Sequence, residues 1–294
     1  MPFRNYRGSN YVIKKEGKGK PVIFLPAAGF TGIEGLNIAE TLAPSCSTHL
    51  LDLPGYGQSA GIMEKCTSKQ LADWLKFYLD HQNIQTADLV GHSLGGAIAL
   101  SFSVHYPERV KQLILLDVGH KPFPRIPFQE FGPFAILFPV LNLGYHIAGR
   151  TFLKRLTGVF SDGSQNEKKE EARIEQFCEI VGIDNSKYVR EAFQQSPQLT
   201  ATGLNLLFGY YNLNLPELTK KLTVPTTLLY GTFKNRNEKE YKWTKRGIKK
   251  LQKYKELPIE YVPVDSGHYV HWSSDTVLRK ISDVLGEPYK VGSL

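Results

Sequence analysis

Short apolar runs alternate along the chain with segments in which apolar residues recur every three or four positions. The apolar runs at 21–25, 49–53, 87–90 and 110–117 are typical of buried strands. Between the second and the third run, the helical periodicity over 67–81 defines an apolar face that comprises Leu71, Trp74, Leu75, Tyr78 and Leu79. This alternation predicts an α/β fold, with a mostly parallel sheet and helices on both of its faces.

The alternation stops after residue 117 and resumes with an apolar run at 224–230, a last predicted strand at 259–264 and a predicted helix at 275–285. The residues in between contain helical stretches and no convincing strand. We therefore predict an α/β core formed by residues 1–118 and 217–294, with a helical cap of residues 119–216 inserted into it. An insertion at the carboxyl ends of parallel strands lies over the crevice in which such sheets bind ligands.

The predicted cap is rich in aromatic side chains, and we expect some of them to line an apolar substrate pocket. The candidates are Phe123, Phe134 and Phe138 from this segment, with His92 and Tyr269 from the core. The apolar stretch at 133–149 is interrupted by polar residues, glycine and proline, and it is shorter than a bilayer span of about 20 residues. We therefore predict a buried or pocket-lining helix there, and no stable membrane insertion.

Length and cysteine content narrow the class of protein. A chain of 294 residues can bury a full core without metal or disulfide crosslinks. Its three cysteines are an odd number without motif spacing, which favours a reducing compartment. The first twenty residues lack the apolar run of a secretory signal. These observations predict a cytoplasmic location.

The net charge of +8 is concentrated in one segment. Residues 234–255 contain ten Lys or Arg and two Glu, so the rest of the chain is neutral. Apolar positions recur there at helical spacing, which places the lysines on the opposite face of an amphipathic helix. Solvation explains such a face, and weak contact with an anionic surface is the alternative. Because no nucleic-acid motif accompanies the charge, we predict no nucleic-acid partner; the oligomeric state stays open.

Candidate chemistry lies at 91–96, where the sequence reads Gly-His-Ser-Leu-Gly-Gly between a predicted strand and a predicted helix. This context predicts a sharp turn with Ser93 at its apex. The flanking glycines leave room for the turn to close, and the amino end of the following helix directs free N–H groups at whatever bonds to the serine oxygen. The arrangement is suited to acyl chemistry.

Together with other features, this turn makes the chain resemble the α/β-hydrolase family over nearly its whole length. The other features are the small-residue turn at 26–29, the turn at 52–59, the strand that ends at Asp117 and the Ser-Gly-His sequence at 266–268. The resemblance implies a serine nucleophile, an acid and a histidine base in that chain order, here Ser93 and His268 with an acid between them. The chemistry needs the same partners, because a serine hydroxyl is a poor nucleophile unless an imidazole accepts its proton.

The position of the acid in the sequence differs from the commonest pattern of the family. Relatives often carry an aspartate three residues after a glycine that ends the seventh strand, and here Lys234 stands at that distance from Gly231. Some relatives use the end of the sixth strand, which corresponds to Asp117. We predict Asp117 as the acid, with Glu238 and Glu240 as the alternatives.

The resemblance also implies an oxyanion hole formed by two backbone N–H groups, from Leu94 and, by position, from Ala28. No His, Cys or Asp grouping has metal-ligand spacing and no glycine-rich phosphate-binding motif is present, so we predict no cofactor and no metal.

The predicted function is a serine hydrolase that cleaves a carboxylic ester, thioester or lactone with an apolar part through an acyl-enzyme. Two alternatives stay open. One is a slow or non-catalytic ligand-binding protein with the hydrolase shell, and the other is a hydrolase of carbon–carbon bonds with the same triad.

Overall fold

The computed structural model describes residues 10–14, 19–121, 133–160 and 167–285. Its strands form one sheet in the order β1-β3-β2-β4-β5-β6-β7. They are β1 (Asn10–Lys14), β2 (Lys20–Leu25), β3 (Cys46–Leu51), β4 (Ala87–His92), β5 (Val110–Leu116), β6 (Thr226–Gly231) and β7 (Ile259–Val264). All neighbouring pairs are parallel except β1 with β3. The predicted mostly parallel sheet is confirmed, and the antiparallel edge strand β1 is an addition to it.

The helices alternate with the strands before β5 and after β6. They are α1 (Leu36–Leu42), α2 (Ser68–His81), α3 (Ser93–His105), α4 (Pro133–Phe160), α5 (Glu167–Val181), α6 (Lys187–Gln194), α7 (Ala201–Tyr211), α8 (Leu215–Thr219), α9 (Glu238–Leu251) and α10 (Asp275–Val284). The predicted helix over 67–81 corresponds to α2, which begins after a capping box in which Thr67 and Gln70 satisfy each other's backbone N–H groups.

The sheet separates two apolar clusters, and the alternation of side chains along β2 supplies both. Ile23 and Leu25 pack with residues of α2 and α3 on one face. Val22 and Phe24 pack with residues of α1 and α10 on the other. All four are completely buried, and burial of such a side chain contributes about 1.5–3 kcal/mol. Helices on both faces of the sheet are thus explained by a strand that is apolar on both sides.

Between β5 and β6 the described residues contain helices and no strand. α4 is kinked at Gly149, which has φ 50° and lies outside the helical region. The prediction that 133–149 is buried is wrong for one side of α4, where five large apolar side chains are exposed: Ile136, Leu137, Val140, Leu143 and Ile147. Within the part of the chain that the structure describes, no helix is long and apolar enough to cross a bilayer. The division into core and cap stays a prediction.

The basic segment forms α9, as its periodicity predicted. Asn237 caps the helix by accepting a hydrogen bond from the backbone N–H of Glu240. The face toward the sheet buries Thr244, Gly247, Ile248 and Leu251. The lysines of α9 lie on its other sides, so the positive charge is at the surface.

Candidate active site

Ser93 occupies a sharp turn between a strand and a helix. β4 ends at His92 and α3 begins with Ser93, so no loop separates them. Ser93 has φ 49°, in the left-handed region that residues other than glycine rarely adopt. Its side chain is half-buried. Such strain is typical of a serine whose hydroxyl is held at the top of an α/β sheet.

Two glycines allow α3 to approach the strands closely. A Cβ atom on Gly95 would lie 2.3 Å from the carbonyl carbon of Leu25, and one on Gly96 would lie 2.7 Å from the carbonyl oxygen of Gly91. The N–H of Gly95 donates a hydrogen bond of 2.8 Å to the carbonyl of Pro26. The start of α3, which carries Leu94, is therefore held against the turn after β2, which carries Ala28.

His268 lies after β7, and its ring is hydrogen-bonded to Asp117 after β5. The distance between His268 Nδ1 and Asp117 Oδ2 is 2.6 Å. The second carboxylate oxygen accepts a hydrogen bond of 3.2 Å from the N–H of Gly231, at the end of β6. A Cβ atom on Gly231 would lie only 2.0 Å from the carbonyl oxygen of Gly267, so the absence of a side chain there lets the histidine loop reach Asp117.

The surroundings of Asp117 keep its carboxylate ionised. Burial by itself would raise its pKa, but the charge of Lys121, with Nζ 3.3 Å from Oδ2, and the hydrogen bond from His268 outweigh burial and hold the pKa of Asp117 well below its usual range. The carboxylate is therefore negatively charged at neutral pH.

The two alternative acids form other ion pairs. Glu238 is exposed and pairs with Lys242 at 3.0 Å. Glu240 pairs with Lys121 at 3.1 Å, which is the same lysine that contacts Asp117. Glu240 is thus linked to Asp117 through Lys121, while the carboxylate bonded to His268 is that of Asp117.

His92, which was predicted to line a substrate pocket, lies inside the fold, and that role stays a prediction. Its side chain is completely buried, and both ring nitrogens lie within hydrogen-bond distance of other groups. Nδ1 lies 2.5 Å from Glu34 Oε1, and Nε2 lies 3.1 Å from the carbonyl oxygen of His268. The other oxygen of Glu34 accepts a hydrogen bond of 2.5 Å from the N–H of Ala27. His92 therefore belongs to a buried polar network.

Glu34, His92 and His271 bring ligand atoms within 4.8 Å of one another, as a metal site requires. The 2.5 Å between Glu34 Oε1 and His92 Nδ1 is shorter than the roughly 3.3 Å between two atoms bound tetrahedrally to one zinc ion. This distance fits a shared proton. Burial, followed by the rings of His92 and His268, lowers the pKa of His271 well below its ordinary value, so His271 is neutral.

A family model described as the alpha/beta hydrolase fold matches residues 20–275. The chain belongs to the α/β-hydrolase family. The crystal structure of E-2-(acetamidomethylene)succinate hydrolase has the same fold, with a TM-score of 0.67 at 17% identity over 96% of this chain and 99% of that one.

Relatives of this α/β-hydrolase include esterases and lipases. A pimeloyl-[acyl-carrier protein] methyl ester esterase from Vibrio vulnificus is 26% identical over 218 residues, which are 74% of this chain and 76% of that protein. A (lyso)-N-acylphosphatidylethanolamine lipase from Mus musculus is 37% identical over 218 residues, 69% of this chain and 62% of that protein. The chain spans only 28% and 29% of the length of two other curated relatives that it matches.

The other four predicted pocket residues are two buried aromatic side chains of this α/β-hydrolase and two phenylalanines whose side chains are not described. Phe138 is completely buried and stacks on Phe208, and Tyr269 is buried and stacks on Trp272. Phe123 lies outside the described residues, and Phe134 belongs to α4 but its side chain is not described. A role in substrate binding stays a prediction for all four.

Sequence reasoning missed Glu34 as a residue of the site. One signal was available, since Glu34 is an acidic residue in an otherwise uncharged stretch from Pro21 to Ala39, where polar side chains need a partner if they are buried. Its partners could not be found from that signal, because His92 lies 58 residues away along the chain.

Proposed function

We propose that this α/β-hydrolase is a serine hydrolase that cleaves a carboxylic ester, thioester or lactone with an apolar part, through an acyl-enzyme. The observation that carries the proposal is the 2.6 Å contact between Asp117 and His268. It pairs an ionised acid with an imidazole, in the chain order of the family, in a protein whose Ser93 has the strained backbone of a nucleophile turn.

In the first step, Ser93 Oγ attacks the carbonyl carbon of the substrate and His268 Nε2 takes the hydroxyl proton. The hydrogen bond to Asp117 places a proton on Nδ1, which leaves Nε2 as the acceptor. As His268 becomes an imidazolium, the carboxylate stabilises its positive charge. The low pKa of Asp117 keeps the acid ionised throughout.

The tetrahedral intermediate carries a negative oxygen, which the N–H groups of Leu94 and Ala28 would hold. Loss of one such donor typically costs about 3 kcal/mol of transition-state stabilisation. His268 then gives its proton to the departing alcohol or thiol. A water molecule, with His268 again as the base, hydrolyses the acyl-enzyme, releases the acid and restores Ser93.

The relatives support the ester-like substrate class, since a methyl ester esterase and a lipase are among them. The ligand-binding alternative rests on two features of the sequence, the lysine at position 234 in place of a carboxylate and the Pro-Ala sequence at 26–27 in the turn that would form the oxyanion hole. The contact between Asp117 and His268 speaks against the first of these grounds. A carbon–carbon bond hydrolase would use the same groups, so the products distinguish it. The cytoplasmic location and the contact of α9 with anionic surfaces stay predictions.

A fluorophosphonate that labels active serines and a panel of nitrophenyl esters test the proposal. We expect the purified protein to be labelled at Ser93 and to release nitrophenol continuously, and we expect both activities to disappear in Ser93→Ala. Labelling without turnover of any ester would favour the ligand-binding alternative. The absence of both labelling and turnover in a folded protein would overturn the proposal.

A further inference from the structure

One buried carboxylate contacts two segments that the proposed reaction needs in fixed positions. Glu34 lies in a single 3₁₀ turn, Gly32–Gly35, and is completely buried. One of its oxygens accepts the N–H of Ala27, the residue before the expected oxyanion donor Ala28. The other contacts His92, whose Nε2 contacts the main-chain carbonyl of His268. The carboxylate therefore contacts the turn after β2 and the end of β4, and through His92 it is linked to the loop after β7.

We propose that Glu34 and His92 are positioning residues, which hold the turn that carries Ala28 and the main chain of His268 in place around Ser93. The assignment rests on the proposed function, because it names residues that act through the expected oxyanion hole and the expected base. Neither side chain is exposed, so each acts through its hydrogen bonds and not by contact with substrate.

The hydrogen bonds determine how many protons the pair holds. A carbonyl oxygen only accepts, so His92 Nε2 must carry a proton in order to bond to His268. The 2.5 Å contact between His92 Nδ1 and Glu34 then requires one further proton between them. The pair is a carboxylate with an imidazolium, or a carboxylic acid with an imidazole. Both forms have no net charge, which limits the cost of burying the pair.

Two contacts from segments distant in sequence consequently hold His268. Asp117 holds its ring through Nδ1, and His92 holds its main chain through the carbonyl oxygen. With the second contact removed, the loop after β7 would keep Asp117 as its link to the ring but would lose the link to the strand that ends beside Ser93. A misplacement of about 1 Å between reacting groups can reduce a rate 100-fold.

Three variants separate the hydrogen bonds of the pair. Glu34→Gln keeps both contacts, because the amide oxygen accepts the Ala27 N–H and the amide NH₂ donates to His92 Nδ1. Glu34→Met removes both. His92→Asn retains a donor for Glu34 but cannot reach the carbonyl of His268. The matched control is His49→Asn, the same substitution at a buried histidine of β3 whose Nδ1 lies 2.6 Å from the hydroxyl of Tyr78 and which contacts neither Glu34 nor His92.

We expect His92→Asn and Glu34→Met to reduce kcat on a nitrophenyl ester, and the rate of fluorophosphonate labelling, on the order of 100-fold. KM should stay within about twofold, because the pair does not touch substrate. Glu34→Gln should remain within about threefold of the wild type, because both hydrogen bonds are kept. His49→Asn should match the wild type. Circular dichroism and Tm identify the folded variants. If Glu34→Met does not fold, the comparison of kcat between Glu34→Gln and His92→Asn tests the positioning role.

Proton NMR tests the pair without any substrate. The shared proton should give a strongly deshielded resonance that persists in Ser93→Ala and Asp117→Asn and is lost in Glu34→Gln and His92→Asn. If the wild type neither hydrolyses esters nor reacts with the fluorophosphonate, the proposed function fails and this resonance still decides whether the pair exists. Three results would each overturn the positioning role. They are a folded His92→Asn variant with the kcat of the wild type, a Glu34→Gln variant as slow as a folded Glu34→Met variant, and the absence of the resonance in the wild type.

Discussion

The strand ends and the helical segment between β5 and β6 rely to different degrees on hydrogen bonds and on apolar packing. At the strand ends, hydrogen bonds join polar groups that are distant in sequence, such as Asp117 and His268. In the helical segment, α4 and α7 pack through stacked rings, with Phe138 and Phe208 centroids 4.7 Å apart, and a buried hydrogen bond from Tyr145 to Asn205 adds to this packing. Hydrogen bonds fix direction, whereas apolar packing fixes volume. Substitutions at the strand ends should therefore change the rate of bond cleavage, and those in the helical segment should change stability and substrate affinity.

The largest effect is expected at Asp117. Asp117→Asn should lower kcat about 10⁴-fold, because the histidine loses the acceptor that fixes its tautomer. Ester hydrolysis measured on a protein with an unchanged circular dichroism spectrum checks this. The matched control is Glu238→Gln, an exposed acid at the start of α9 that pairs with Lys242, which should retain full activity. Unchanged turnover in Asp117→Asn would transfer the role of the acid to another residue, with Glu240 tested next.

Phe138 tests the other side of the comparison. Phe138→Ala should lower the free energy of unfolding by about 3–5 kcal/mol, because a completely buried ring is replaced by a cavity. Urea denaturation measures the loss. Leu137→Ala on the same helix is the control, since Leu137 is 53% exposed and its removal leaves no cavity. A larger fall in kcat than rise in KM in a folded Phe138→Ala variant would contradict the proposed separation of roles.

The pH dependence of stability should also differ between the regions. The pKa of Asp117 is lower in the folded protein than the value of about 3.9 in an unfolded chain, so its contribution to stability is present above that value and is lost as the pH falls. The groups that face it are His268, Lys121 and His120. Burial lowers the pKa of His120 to about 3, so that ring gains a proton only at the acid end of the titration.

Below about pH 4 the free energy of unfolding should fall more steeply in the wild type than in Asp117→Asn. Phe138→Ala removes no ionisable group and should follow the slope of the wild type. Denaturant titrations between about pH 3 and pH 6 provide the measurement. Parallel curves for the wild type and Asp117→Asn would show that the carboxylate is not stabilised in the folded state.

The smallest effect is expected on the exposed side of α4. Val140 and Ile147 are 68% and 77% exposed, so Val140→Ser and Ile147→Ser should change the free energy of unfolding by no more than about 0.5 kcal/mol each. The same urea titrations apply. A loss of unfolding free energy comparable to that of Phe138→Ala would mean that these side chains are buried against another surface in solution.

The strands that carry the candidate site were predictable because each is a short apolar run next to a turn rich in small residues. Asp117 was predictable for the same reason, as a charged residue directly after such a run. The strand β1 was missed, since its apolar run of three residues, 11–13, is too short to stand out between Asn10 and Lys14. The exposed side of α4 was missed because apolar composition predicts burial, whereas burial depends on which neighbours are present.

The sequence by itself determined where β2 to β7 lie along the chain, how helices alternate with the first of them, and the turn at Ser93, because these depend on the periodicity of apolar residues and on glycine at fixed offsets. Only the tertiary structure decided which acid meets His268 and which groups meet Glu34. Those contacts join residues 151, 58 and 7 positions apart, and they exist because parallel strands bring the turns at their carboxyl ends to one edge of the sheet. Local sequence patterns do not show which residues that are distant along the chain come into contact, and so the network around Glu34 became visible only in the fold.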